Sequence, residues 1–141
     1  MGVRAQPMRV VRDVEASSAW YQRLLGLRSA HGGPHYDQLV DGDTLVMQLH
    51  RQDIEDHHGE PADGNRPLDA NGALFWFEVD DFDAVEARAM EMGAVVVLPR
   101  HRNPPEGGGG PNHWELWLRD PDGAMVVVAS RYGTAGNGWT P

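Results

Sequence analysis

Apolar and polar positions follow the same order twice along this chain. A first apolar run, Met8 to Val11, meets Arg12-Asp13, and over residues 14–25 Trp20, Tyr21, Leu24 and Leu25 recur at helical spacing. A second run, Leu74 to Val79, meets Asp80-Asp81, and over residues 82–92 the stripe Phe82, Val85, Ala89 and Met92 repeats that spacing. An aspartate stands before each helix, Asp13 in the first and Asp81 or Asp83 in the second, where a carboxylate can accept from free backbone N–H groups. Gly26 and Gly93 follow, suited to the left-handed conformation that ends helices. Each half closes on an aspartate turn and a strand: Asp41-Gly42-Asp43 before 44–50, and Asp120-Pro121-Asp122-Gly123 before 124–130.

Short stretches rich in Val, Leu and aromatics predict strands at 5–11, 27–31, 35–40, 44–50, 73–79, 94–98, 113–118 and 124–130. Two strand–helix–strand–strand–strand modules result, over 1–50 and 73–132, with an aperiodic linker at 51–72 and a flexible tail at 133–141. Repeats on this scale decide fold class, here α+β. Residues 100–112, with glycines at 107–110, read as an extra irregular loop, either a mobile flap or a plain surface excursion.

Alternation along the strands assigns faces. Phe75, Phe77 and Val79 suit packing under the second helix, which turns Leu74, Trp76 and Glu78 the other way. Leu45, Met47 and Leu49 likewise leave Val46, Gln48 and His50 on the opposite face. Val11 belongs under the first helix, although Arg9 shares its face. Trp114 and Trp117 flank Glu115 on opposite sides of one strand, and alignment of the repeats pairs Trp117 with Gln38, whose face Tyr36 shares.

Composition narrows the functions available. The 141 residues fit one domain or two small modules, and either half alone is short for independent stability. A formal charge of −9 argues against a nucleic-acid partner, because phosphate contacts need Lys and Arg. Cysteine is absent, which excludes disulfides, thiolate metal sites and a cysteine nucleophile. No apolar run approaches a membrane span and no signal-peptide pattern opens the chain, so a cytoplasmic location with no membrane partner is expected. Ser17 and Ser18 sit on a helix beside no obvious base, and the glycine run lacks the Lys and Ser/Thr of a phosphate loop. His57-His58 with Glu55, Asp56 and Glu60 reads as a solvated linker before it reads as a metal site.

In order, Val11-Arg12-Asp13-Val14-Glu15-Ala16-Ser17, Trp20-Tyr21, Leu25-Gly26-Leu27, Phe77-Glu78-Val79-Asp80-Asp81, Gly93-Ala94 and Leu118-Arg119-Asp120-Pro121-Asp122-Gly123 resemble the vicinal oxygen chelate superfamily of glyoxalase I, extradiol dioxygenases and bleomycin-resistance proteins. The resemblance spans about residues 5–130. It implies paired βαβββ modules whose sheet curves around a shared cavity, and a homodimer in which that cavity is completed within one chain or across two. Metal-dependent members hold one divalent ion with His, Gln or Glu at four equivalent positions. Counting from the repeated aspartates, those positions here are Gln6, Gln48, Leu74 and Val127. Such ions want imidazole nitrogen or carboxylate oxygen. Two amides and two aliphatic side chains supply neither, so no metal and no cofactor are expected. An off-pattern site would need His35, His50 or His113 to meet Glu115.

The expected pocket is lined by Gln6, Met8, Tyr36, Gln38, Gln48, His50, Leu74, Trp76, Trp114, Glu115, Trp117 and Val127, with no catalytic residue among them. Aromatic walls with a few polar points suit a flat, largely aromatic ligand. The resemblance then implies the branch that confers antibiotic resistance by sequestering a drug of the bleomycin, mitomycin or enediyne kind without altering it. The competing expectation is a lyase, isomerase or dioxygenase with an off-pattern or absent metal.

Overall fold

The computed structural model describes residues 2–53, 72–106 and 110–135. The chain divides into two compact units, residues 1–68 and 69–141. The first runs β1 (Met8–Val11), α1 (Val14–Leu25), β2 (Arg28–Ser29), β3 (Tyr36–Asp41) and β4 (Thr44–Arg51). The second runs β5 (Leu74–Glu78), α2 (Phe82–Glu91), β6 (Val95–Asn103), β7 (His113–Arg119) and β8 (Met125–Ala129). Their sheets have the same order, β1-β4-β3-β2 and β5-β8-β7-β6. In each, the strand before the helix pairs parallel with the last strand, and the remaining pairs are antiparallel. The architecture is α+β, with one helix and one mixed four-stranded sheet per unit.

The helix ends obey the sequence logic. Asp13 accepts from the Ala16 N–H at 3.0 Å, and Asp81 accepts from the Ala84 N–H at 3.0 Å. Gly26 closes α1 at φ 70°, in the left-handed region that costs other L-residues about 1 kcal/mol or more. Asp13→Ala and Asp81→Ala should each lower unfolding stability by about 1 kcal/mol, read as a shift of the urea midpoint with an unchanged slope.

Each helix buries one stripe on its own sheet. Val14, Tyr21 and Leu24 meet the side of the first sheet that carries Val11, Leu39, Met47 and Leu49, all at most 1 % exposed. Phe82, Val85 and Ala89 cover the side of the second sheet that carries Leu116, Leu118, Val126 and Val128. Arg9 is buried on the helix side of the first sheet, where its guanidinium donates to the Val10 carbonyl at 2.5 Å. Trp20 and Leu25 flank the buried stripe of α1 and are only partly covered.

Two strand boundaries differ from expectation by three residues or more. The first strand begins at Met8 and not at residue 5, because Pro7 has no N–H to give the ladder; its carbonyl still accepts from the Gln48 N–H at 2.9 Å. The seemingly irregular stretch after residue 98 continues β6 to Asn103. Pro99 is tolerated there because β6 is an edge strand, and register shifts between Val96 and Leu98 and between Leu98 and His101 absorb it. The paired histidines of the linker, most of the expected flap glycines and most of the tail lie outside the described residues. No described helix is long and apolar enough to cross a membrane.

Candidate functional site

Strand register makes the repeat exact enough to compare side chain by side chain. Gln48 pairs with Met8 and Gln38, and Val127 pairs with Trp76 and Trp117. One pair further along, Tyr36 stands opposite His50, and Glu115 stands opposite Ala129. Met8 therefore corresponds to Trp76, Gln38 to Trp117 and Tyr36 to Glu115. All lie on the face of their own sheet turned away from the helix.

In the first unit that face is a chain of neutral polar groups. The Tyr36 hydroxyl donates to Gln48 Oε1 at 2.5 Å and accepts from Gln38 Nε2 at 3.1 Å. Gln48 Nε2 donates in turn to the Gln6 carbonyl at 3.1 Å. His50 is buried, with Nδ1 donating to the Arg51 carbonyl at 2.8 Å. Met8 remains 43 % exposed at the edge.

In the second unit the same position has become a buried carboxylate. Glu115 is 1 % exposed. Its Oε2 accepts from Asn103 Nδ2 at 2.7 Å and from His113 Nε2 at 2.8 Å, while Oε1 accepts from Trp117 Nε1 at 2.9 Å. His101 Nε2 lies 3.5 Å from Oε1, and its Nδ1 donates to the Pro99 carbonyl at 2.9 Å. Burial by itself pushes the Glu115 carboxyl up, but the bonds from Asn103, Trp117 and His113, with the attraction of His113, outweigh it and hold the group below the ordinary glutamate value. Glu115 is therefore an ionised acceptor at neutral pH. Trp76 stands beside His113, ring centroids 6.0 Å apart at 31°, and Tyr132 approaches the same imidazole at 6.5 Å, edge-on.

The expected site residues separate by unit and by face. Met8, Tyr36, Gln38, Gln48 and His50 gather on the first sheet, which Gln6, ahead of β1, joins only through its backbone carbonyl; Leu74, Trp76, Glu115, Trp117 and Val127 gather on the second. Trp114 does not join them. It lies on the helix side, where the Arg100 guanidinium sits 4.7 Å from the Phe82 ring centroid and 5.4 Å from that of Trp114. Arg100 is held there by Asp83 and Glu86. A cleft of about 240 Å³ on that side is bordered by Asp80, Phe82, Arg100, Trp114 and Thr134 and does not reach Glu115. Ser18, which the sequence leaves beside no base, donates to the Asp37 carboxylate at 2.6 Å.

His101 and Asn103 were not among the expected site residues, yet both contact Glu115. The signal was present: once β6 is carried past Pro99, the two fall on one side of it, paired with Glu115 and His113.

The metal-ligand positions do not fit a divalent ion. Gln48 spends both ends of its amide inside the first sheet, and Leu74 and Val127 have no donor atom. The His–Glu cluster of the second sheet is no substitute, because both imidazole Nε2 atoms are aimed at the carboxylate itself. Among the described residues no group of three or more His, Cys, Asp or Glu is arranged to hold an ion.

Known structures share this architecture at low identity. A lactoylglutathione lyase from Agrobacterium tumefaciens aligns with TM-score 0.63 and 22% identity over 92% of this chain and 94% of its own. TioX from Micromonospora sp. ML1 aligns with TM-score 0.62 and 17% identity over 99% and 100%. A glyoxalase/bleomycin resistance protein/dioxygenase from Alicyclobacillus acidocaldarius gives 0.62 and 18% over 90% and 89%. At such identities the likeness concerns the fold. No curated protein matches the sequence. The sequence model of one family matches residues 5–128, nearly the whole duplicated region, and the chain belongs to the Glyoxalase/Bleomycin resistance protein/Dioxygenase superfamily.

Proposed function

We propose that this protein binds a planar aromatic small molecule without altering it, and that the second sheet supplies the stacking surface. One observation carries this reading. Trp76 is 45 % exposed on the face away from α2, beside His113 of a hydrogen-bonded polar network. A large exposed indole, with only two side-chain torsions to fix, offers stacking area at little entropic cost. The mismatch between Gln6, Gln48, Leu74, Val127 and any divalent ion supports binding over metal-assisted chemistry. Within the superfamily, that combination favours sequestration of an antibiotic of the bleomycin, mitomycin or enediyne kind. The net charge of −9 adds long-range attraction for a cationic cargo.

A second reading, a metal-free isomerase or lyase, is favoured by the His113–Glu115 contact at 2.8 Å, since a carboxylate that orients an imidazole also suits general-base catalysis. One titration separates the two. Tryptophan fluorescence should be quenched by a member of a panel of mitomycin C, a bleomycin and planar anthraquinones, at one molecule per site. The compound should be recovered unchanged by mass spectrometry, and Trp76→Ala should weaken binding about tenfold, or ~1.4 kcal/mol. A panel that leaves the fluorescence untouched argues against the binding role, and a new product mass argues for the enzyme.

A further inference from the structure

The residue two places beyond Trp76 narrows the kind of flat molecule this surface prefers. We propose that the site selects planar aromatic ligands that carry a cationic amine close to the ring rim, with the Glu78 carboxylate as the counter-charge; this rests on the binding reading given above.

The pairing of indole and carboxylate is set by the pleat of β5. Alternate side chains of a strand share a face, so Leu74, Trp76 and Glu78 project together away from α2. All three are exposed, whereas Phe75 and Phe77, on the helix side, are partly covered. Trp76 and Glu78 stand about 7 Å apart along the strand. An amine one carbon off the rim of a ring stacked on Trp76 is therefore within reach of the Glu78 side chain. Among the described residues the Glu78 carboxylate makes no hydrogen bond and no ion pair, so no protein cation competes for it.

The other ionisable groups that the register places on this face are engaged. Glu115 stands in the same cross-strand row, with Ala129 between it and Glu78, but it takes the donors of Asn103, His113 and Trp117. His101, opposite Glu115, is turned to that same carboxylate. Arg119 stands in the row of Leu74 and Met125, on the other side of Trp76, and donates to the Gly123 carbonyl at 2.9 Å. A ligand amine is thus repelled at the Leu74 end of the indole and drawn to the Glu78 end. An exposed ion pair of this kind adds about threefold in affinity and is weakened by salt. The formal charge of −9 attracts any cation from a distance, so the local contact has to be separated from the overall field.

The test titrates 1-pyrenemethylamine, a cation at neutral pH, and 1-pyrenemethanol, its neutral counterpart of similar shape, into the full chain and follows quenching of tryptophan fluorescence. The amine is expected to bind about threefold more tightly at an ionic strength of about 0.01 M, and about equally at about 1 M, as the screening length falls from about 30 Å to about 3 Å. Glu78→Gln keeps the shape of an exposed side chain and should remove the preference while leaving pyrenemethanol binding unchanged. A preference that persists in Glu78→Gln assigns the attraction to the overall charge and overturns the contact. Equal affinities for the parent protein at low salt overturn it as well and leave the binding role in place. If neither probe binds, the binding role falls and the amine preference with it.

Discussion

Glu115→Ala should destabilise the protein by about 3–5 kcal/mol, the range for removing one partner of a buried charged network. The side chain is 1 % exposed and takes the donors of Asn103, His113 and Trp117. Alanine would leave those donors facing an apolar gap, and unpaired buried donors cost more than the net gain their bonds provided. Glu115→Gln keeps the shape but turns an NH2 group towards groups that are themselves donors, so it should cost about 2 kcal/mol. The two variants also separate charge from packing as the pH falls. Because the folded carboxyl titrates below its unfolded value, its contribution is fully present above the unfolded value and is lost as the pH falls through the depressed folded one. Urea unfolding across the acid range should therefore show a flatter dependence in Glu115→Gln than in the parent. Equal slopes would mean that the folded carboxyl is not held below its unfolded value.

The parts of this molecule that were legible in the sequence are those governed by period and by local caps. Asp13 and Asp81 announce the helices because an N-cap acts over three residues, and both make the Ala16 and Ala84 contacts that such a cap makes. The equivalence of Gln48 with Val127 could be counted from the aspartate turns because strand register is carried over short hairpins. What escaped depends on longer range. Pro99 punctuates the sequence like a loop, and only its edge position in the sheet lets β6 run on to His101 and Asn103. Alternation already sets Trp114 and Trp117 on opposite sides, and the repeat favours Trp117; what the sequence does not show is that Arg100 occupies the side that Trp114 faces. The repeat conceals a divergence for the same reason. Tyr36 and Glu115 occupy one position, but whether it becomes a phenol between amides or a carboxylate among donors depends on what its own strand and one neighbouring strand present to it.

Asp37→Ala should weaken the first unit nearly as much, by about 3–4 kcal/mol, although nothing in the local sequence marks this residue. Asp37 lies on the helix side of β3, 2 % exposed, and ties α1 and the β2 segment to its own strand through four donors. Its Oδ2 accepts from Ser18 Oγ on α1 at 2.6 Å, and its Oδ1 accepts from Ser29 Oγ at 2.7 Å, the Gly32 N–H at 2.7 Å and the Gln38 N–H at 2.8 Å. Burial pushes the carboxyl up, but the bonds from Ser18, Gly32, Ser29 and Gln38 together hold it below the ordinary aspartate value. By the same sign rule its stabilisation is lost as the pH falls through that lowered value. Asp37→Asn retains one oxygen for the Gly32 and Gln38 N–H groups and offers Nδ2 to a Ser18 hydroxyl that can turn to accept, so it should cost about half as much as alanine. Ser18→Ala removes a single donor and leaves three, which predicts about 1 kcal/mol. The order alanine, asparagine, then Ser18→Ala, read from urea midpoints, distinguishes a hub carboxylate from a simple packing role, for which Asp37→Asn would be nearly neutral. Because Asp37 faces α1 while the polar face of Tyr36, Gln38 and Gln48 points the other way, its loss should unfix the helix without altering hydrogen bonds on that face.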